Sequence, residues 1–151
     1  MKINQNFRYV ICSIILFVFL LLSLSLLFIH NFTLLFIIKN LFGTICHQIE
    51  SRCFFVDEKP IFLCSRCTGI FTGAFIFFLF LSTSQRLREA VDKISHKTIF
   101  VFALPMLIEW SINFIFKIET TNFVRFLTGI IFSFIPVYFL NSLLINFKFQ
   151  E

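Results

Sequence analysis

Four long apolar segments dominate the hydrophobic pattern of this 151-residue chain. The first carries no charged side chain from residue 9 to residue 29, and at 1.5 Å per helical residue it would be about 31 Å long, enough to cross the hydrocarbon core of a bilayer. The predicted spans are residues 9–29, 66–83, 98–116 and 123–146. The pattern therefore predicts an all-α integral membrane protein with four transmembrane helices, forming a single membrane domain over residues 1–151.

The first apolar segment is predicted to remain in the chain as an uncleaved anchor. Lys2 and Arg8 resemble the basic start of a secretory signal, but the apolar run is too long and no convincing cleavage site follows it. Pro105 and Pro136 lie inside the third and fourth spans. Because proline lacks a backbone N–H and its ring clashes with the preceding turn, each is predicted to kink its helix.

Residues 30–67 separate the first two spans and contain two different parts. Residues 32–42 are apolar but interrupted by Lys39 and Asn40, and such a short segment cannot cross a bilayer. We expect a short interfacial or re-entrant helix there. The second part, residues 43–67, is predicted to be a cysteine-rich loop.

Composition and charge narrow the class of protein further. The chain is 58% hydrophobic and 14% charged, with a mean hydropathy of +0.93, whereas ordinary soluble domains are about a quarter charged. The net charge of +5 is small and scattered, which excludes nucleic-acid binding based on charge. The partner expected from composition is the lipid bilayer, and the sequence identifies no protein partner.

The basic residues also indicate an orientation. The N-terminal tail, residues 84–97 and the C-terminal tail hold seven basic residues in 27 positions, against five in 44 on the other side. Basic residues are more frequent on the cytoplasmic side of a membrane. We therefore expect a multi-pass protein of the cell (inner) membrane with both termini in the cytoplasm and the cysteine-rich loop on the outer face.

Four of the five cysteines lie within this loop, at Cys46, Cys53, Cys64 and Cys67. His47 follows Cys46, and Cys64 and Cys67 form a C-x-x-C at the predicted start of the second helix. Two thiols at this spacing can bind one metal ion or form a disulfide. A helix N-terminus lowers thiol pKa values, and Arg66 is expected to add positive charge beside both sulfurs.

Three interpretations of the loop remain open. In the first, Cys46, His47, Cys64 and Cys67 bind a metal ion, zinc being favoured and iron the alternative, with Cys53 as a substitute ligand. In the second, the protein is a thiol-disulfide oxidoreductase that uses Cys64 and Cys67 with a quinone, and Cys46 pairs with Cys53. In the third, the cysteines form a structural disulfide or remain unpaired. Neighbouring Cys46 and His47 side chains point in different directions, which weakens the four-ligand set.

The motifs resemble those of an uncharacterised family of small polytopic prokaryotic membrane proteins, domain-of-unknown-function family 2085. The resemblance rests on the Cys-His-Gln at residues 46–48, on Ser51-Arg52, and on the Cys-Ser-Arg-Cys-Thr-Gly at residues 64–69. A second motif matches at Glu119, Asn122, Arg125, Thr128 and Gly129. The family implies a membrane protein with a shared polar site, but it supplies no reaction.

Two positions depart from the family pattern. Cys53 replaces a residue that is usually serine, which weakens any scheme that needs a Cys46–Cys53 disulfide. In the third span the family tends to carry Asp-Gly followed by Gln, whereas this chain has Glu109-Trp110 and Asn113. Glu109 is still an acidic residue and Asn113 still carries an amide, but the side chain of Trp110 would prevent close approach of a neighbouring backbone.

The polar residues of the spans fall in the half of the membrane that carries the cysteines. Glu109 lies about 10 Å before the end of the third helix, with Asn113 one turn nearer the surface, and Arg125 lies in the first turns of the fourth helix. Because buried ionisable residues usually have partners, we predict that Glu109 and Arg125 pair or share a polar cavity under the cysteine loop. The supporting polar residues are Arg66, Thr68, Asn113 and Asn122.

The sequence thus predicts a membrane protein with a Cys/His metal site above a polar pocket. Whether it is an enzyme stays open. If it is, Glu109 and Arg125 are the catalytic candidates, with the metal activating water or substrate and Glu109 carrying a proton. A non-catalytic membrane subunit is the remaining alternative.

The Gly69-x-x-x-Gly73 motif predicts close helix packing, within one chain or in a homo-oligomer.

Overall fold

A computed structural model describes residues 5–24, 31–56, 58–117 and 119–146. The helices are α1 (Gln5–Ser23), α2 (Phe32–Gly43), α3 (Ser65–Thr83), α4 (Gln85–Asp92), α5 (His96–Ile99), α6 (Leu104–Phe116), α7 (Asn122–Phe132) and α8 (Phe134–Asn146). Short 3-10 helices occupy Glu50–Arg52 and Phe100–Ala103. Strands β1 (Cys53–Val56) and β2 (Lys59–Cys64) form an antiparallel hairpin.

Four helical segments are long and apolar enough to cross a membrane, as predicted. They are Asn6–Ser23, Ser65–Thr83, Lys97–Phe116 and Asn122–Ile145. The last residues of the first predicted span, 25–29, lie outside the described residues. The short apolar helix expected after this span is also confirmed, as α2. The fold is therefore that of a helical membrane protein, as predicted, with one short β-hairpin added to the helices.

Both proline-containing spans are interrupted near the proline. The third span changes to a 3-10 helix over Phe100–Ala103, and α6 begins with Pro105 in its first turn. The fourth span is divided at Ser133, three residues before Pro136. Proline cannot donate to the preceding turn and clashes with it, so an interruption of the α-helix lies close to each position where a kink was predicted.

Helix α3 lies at the centre of the bundle. Two of its glycines face α7, where a Cβ on Gly69 would lie 2.1 Å from the Phe126 carbonyl oxygen and one on Gly73 would lie 2.2 Å from Ser133 Oγ. The glycine motif therefore serves packing within the chain. On another side of α3, Ala74 and Phe78 join Tyr9 of α1 and Val137 of α8 in an apolar core.

A second apolar cluster supports the cysteine-rich segment. Phe42 of α2 and Leu63 of β2 are fully buried, and Cys46, Cys64 and Cys67 belong to the same cluster. The hairpin was not predicted, because the sequence indicated only a loop over residues 43–67. It brings Cys53 opposite Cys64 and so fixes the geometry of the candidate site.

Candidate metal centre and arginine cavity

Three cysteines bring their sulfur atoms together. The Sγ atoms of Cys46, Cys64 and Cys67 all lie within 4.8 Å of one another. Cys46 follows the end of α2, Cys64 ends β2 and is the N-cap of α3, and Cys67 lies in the first turn of α3. We call these three residues the cysteine triad. Three separate elements thus converge on one point.

The chain after α2 is shaped so that Cys46 faces this point. The Cys46 N–H donates to the Phe42 carbonyl at 2.9 Å. Gln48 then adopts the left-handed backbone conformation with φ 49°, and its Nε2 donates to the Lys39 carbonyl at 2.9 Å. The glutamine of the Cys-His-Gln motif therefore ties the turn back to α2, and Cys46 is left with its side chain buried.

Hydrogen bonds within the triad give its cysteines different pKa values. The Cys64 N–H donates to Cys46 Sγ at 3.2 Å, and hydrogen bonds from the Cys64 and Cys67 thiols lower the pKa of Cys46 from its ordinary value. The pKa of Cys64 is raised, chiefly because its proton is held in the hydrogen bond to Cys46. The arrangement favours a thiolate at Cys46, the form in which cysteine binds metals.

Two further residues of the predicted site lie apart from the triad. His47 is exposed, whereas its neighbour Cys46 is buried, and His47 does not belong to the group of clustered ligand atoms. The expected four-ligand set is thus reduced to three described residues. Cys53 is buried, its Sγ donates to the Ile49 carbonyl at 3.2 Å, and burial raises its pKa to about 11.

A polar network surrounds the buried carboxylate of Glu109. Its Oε1 accepts hydrogen bonds from Thr120 Oγ1 at 2.6 Å and from Asn113 Nδ2 at 2.5 Å. Arg66 forms an ion pair with the other carboxylate oxygen, and Arg125 Nε lies 3.8 Å from Oε1. The structure thus brings Glu109 and Arg125 together, as the sequence predicted.

Arg66 differs from the expectation. Its guanidinium group was expected to add charge beside the sulfurs, but it instead contacts Glu109 of α6. The residue lies between the two triad members of the C-x-x-C, so successive positions of the first α3 turn face different neighbours. Thr68, another supporting candidate, uses its hydroxyl to donate to the Cys64 carbonyl at 3.1 Å.

Asn122 connects the hairpin to the two helices that begin here. Its Nδ2 donates to the Cys53 carbonyl at 2.9 Å. Its Oδ1 accepts from Ser65 Oγ and from Arg125 Nη1, each at 3.4 Å. This side chain therefore links β1, the start of α3 and the start of α7, although the sequence assigned it only a supporting role.

A cavity of about 170 Å³ opens beside Glu109. We call it the arginine cavity; its lining residues are Arg52, Arg66, Arg125, Asn113, Trp110 and Phe114. Trp110 is half-exposed and stacks on Phe114 with ring centroids 5.4 Å apart. No cysteine lines this cavity. The single pocket expected under the cysteine loop is thus two neighbouring sites, the triad and the arginine cavity.

Arg52 and Thr120 are the polar site residues that sequence reasoning missed. Arg52 stood in the family motif as Ser51-Arg52, so the resemblance itself was the available signal. Thr120 lies in the short connection between α6 and α7, and its N–H also donates to Asn113 Oδ1 at 3.1 Å. Its polar contacts depend on the left-handed turn at Lys117, which no sequence pattern indicated.

Comparison with known proteins gives one family. The model for "Predicted membrane protein (DUF2085)" matches residues 46–139, which is more than half of the chain and includes the triad, Glu109 and Arg125. No solved structure matches. The family match therefore covers both candidate sites but assigns neither of them a reaction.

Two archaeal relatives are themselves uncharacterised. The chain is 32% identical over 100 residues to the uncharacterised protein MJ1492 of Methanocaldococcus jannaschii, a match that covers 66% of this chain and 63% of that protein. It is 30% identical over 89 residues to an uncharacterised protein of Methanothermobacter thermautotrophicus, covering 59% of this chain and 78% of the relative. The match to the first relative thus spans less than two thirds of its length.

Proposed function

This chain belongs to the DUF2085 family of predicted membrane proteins, and we propose that it carries a thiolate metal centre formed by Cys46, Cys64 and Cys67. Zinc is the favoured ion and iron the alternative, because soft sulfur ligands suit both. The observation that supports this most is the approach of three Sγ atoms to within 4.8 Å of one another.

The spacing of the sulfurs suits a tetrahedral ion. With Zn–S bonds of about 2.3 Å, two thiolates bound to one zinc lie about 3.8 Å apart. The triad spacing of up to 4.8 Å needs only a small contraction to reach this value. A disulfide would pair two of the sulfurs and leave the third alone, whereas one metal ion uses all three.

Three protein ligands leave one tetrahedral position for another group. Structural zinc sites usually have four protein ligands, and catalytic sites keep one position for water or substrate. Cys53, opposite Cys64 in the hairpin, is the protein candidate. A bound water or a small-molecule thiol or carboxylate is the external candidate. The first would give a structural centre and the second a reactive one.

Metal analysis of the purified protein tests the proposal. We expect about one zinc or iron per chain, lost in Cys46→Ser, Cys64→Ser and Cys67→Ser. Cys12→Ser is the matched control, because Cys12 packs in the separate core of α1 and α3. His47→Ala should also keep the metal. A metal-free wild-type protein from metal-replete cells, with three free triad thiols, would overturn the proposal.

Cys53→Ser decides between the two kinds of centre. Loss of metal together with loss of Cys53 would assign it as the fourth ligand and support a structural role. Retention of metal in Cys53→Ser, removed by a chelator no faster than from the wild type, supports an external fourth ligand. Only the second result leaves room for catalysis by the metal.

A thiol oxidoreductase is the second candidate. It is favoured by the C-x-x-C at the start of α3, whose thiols are free and lie beside Cys46. Oxidation of Cys64 and Cys67 to a disulfide would release two protons and two electrons, which reduce a quinone to the quinol. Absence of metal and a reducible Cys64–Cys67 disulfide that persists in Cys46→Ser would favour this function.

A further inference from the structure

The arginine cavity concentrates positive charge beside the ends of three membrane helices. Three arginines line it, and the carboxylate of Glu109 contacts two of them, Arg66 and Arg125. The exposed Glu119 is also within electrostatic range of Arg125. Even when both acids are counted, one positive charge remains in excess. Like charges held close together at the edge of a membrane favour an anion between them.

The guanidinium groups also have donors to spare. A guanidinium carries five N–H donors. Arg66 uses Nη2 for Glu109, while its buried Nε has no acceptor among the described residues. Arg125 is only 4% exposed, and its Nη1 makes a long 3.4 Å hydrogen bond to Asn122. Buried donors without acceptors are costly, and an oxyanion would supply acceptors for them.

The dimensions and walls of the cavity select the anion. Its volume of about 170 Å³ exceeds the share of a single water, about 30 Å³, several times over, so a tetrahedral oxyanion fits. Arginine forks match phosphate oxygens in pairs. The stacked rings of Trp110 and Phe114 form an apolar wall of the cavity and are largely exposed, so an alkyl part of an ester could lie against them.

We propose that the arginine cavity binds a phosphate group, carried on an anionic lipid headgroup or as free phosphate. Arg66 and Arg125 lie in the first turns of α3 and α7 and Asn113 lies in the last turn of α6, so the site is at the depth where lipid phosphates meet the helix ends. This site does not depend on the metal centre, because no triad residue lines it.

Binding to protein purified in neutral detergent tests the proposal in two arms. Inorganic phosphate is titrated calorimetrically, and phosphatidic acid is compared with diacylglycerol of the same chains by native mass spectrometry. One saturable site for phosphate identifies the free ion, whereas retention of phosphatidic acid alone identifies the lipid. The proposal would be overturned if inorganic phosphate shows no saturable binding and phosphatidic acid is either not retained or retained no better than diacylglycerol.

Matched variants locate the site. Arg52 is exposed, so Arg52→Gln should fold normally and bind about tenfold more weakly. Arg86→Gln removes an exposed arginine from α4, which follows the opposite end of α3 from Arg66. This variant should bind phosphate like the wild type. Glu109→Gln removes the carboxylate that competes with phosphate for the arginines. The glutamine keeps a side-chain oxygen that can accept from Asn113 and Thr120, so this variant should bind phosphate more tightly than the wild type. Equal losses in Arg52→Gln and Arg86→Gln would show only non-specific charge attraction and overturn the site.

Discussion

Glu109 shows how a charged side chain is accommodated inside a membrane helix. Placing a carboxylate there costs about 2.5–3.5 kcal/mol on insertion scales. In this protein two arginines and the side chains of Asn113 and Thr120 surround it. The cost is offset only while all partners are present, since removal of one leaves other charges buried without compensation.

Glu109→Ala should therefore lower the free energy of unfolding by about 3–5 kcal/mol. The expected loss arises because Arg66 and Arg125 lose their shared counterion. Thermal or denaturant unfolding of the purified protein measures it. Glu89→Ala is the control, because Glu89 is exposed and its carboxylate accepts a single hydrogen bond among the described residues, from Gln85 Nε2. Similar small losses in both variants would show that the Glu109 network contributes little to stability.

The contact between α3 and α7 determines the positions of the charged residues. A Cβ on Gly129 would lie 2.4 Å from the Arg66 carbonyl oxygen, so the first turn of α3 rests on the backbone of α7. This close approach brings Arg66 and Arg125, one from each helix, to the same carboxylate. Small residues permit such approach in membrane helices.

Gly69→Ala should destabilise the protein by about 1–3 kcal/mol, the usual cost of overpacking. The added methyl group would meet the Phe126 carbonyl, which cannot move independently of its helix. Gly43→Ala is the matched control, since the nearest atom to its Cβ is Gln48 Oε1 at 4.0 Å. The difference between their unfolding midpoints measures the effect. If the two variants unfold alike, α3 and α7 are not packed as described.

The predictable elements were the long ones with a uniform pattern. The spans and α2 followed from apolar length alone, and the C-x-x-C motif indicated two of the three triad members. The hairpin was missed because β1 has four residues and the core of β2 is buried without alternation. The sequence indicated only a connection between two spans over residues 84–97, whereas Gln85–Asp92 form α4 and bury Arg88. Tertiary contacts decide these short elements, and the sequence does not display them.

The whole molecule has a polar cluster at each end of its helices. The triad and the arginine cavity lie at one end. At the other end, buried Arg88 donates to the Leu81 carbonyl at 2.6 Å. Its guanidinium carbon lies 4.5 Å from the centroid of the Tyr9 ring. The Tyr9 hydroxyl in turn donates to Asn141 Oδ1 at 2.8 Å. Arg88 of α4 thus contacts α1 and α3, and Tyr9 extends this network to α8. The residue also adds to the basic charge of that side.

The charge asymmetry predicts that both termini are cytoplasmic. A fluorescent protein fused to the C-terminus should fluoresce, and alkaline phosphatase at the same position should be inactive. A short epitope inserted in the hairpin turn at Glu58 should be labelled on cells whose outer barrier is permeabilised but whose membrane is intact. The opposite pattern of all three reporters would reverse the orientation but leave both sites on one face.

X-ray absorption at the metal edge tests the central proposal, the thiolate centre, most directly. Purified wild-type protein should give three sulfur neighbours at about 2.3 Å from zinc, or four if Cys53 is the fourth ligand. Cys67→Ser should lose that shell, while Cys12→Ser should keep it. A shell containing only nitrogen and oxygen at about 2.0–2.1 Å, or bound metal whose sulfur shell is unchanged in Cys67→Ser, would contradict a centre formed by Cys46, Cys64 and Cys67.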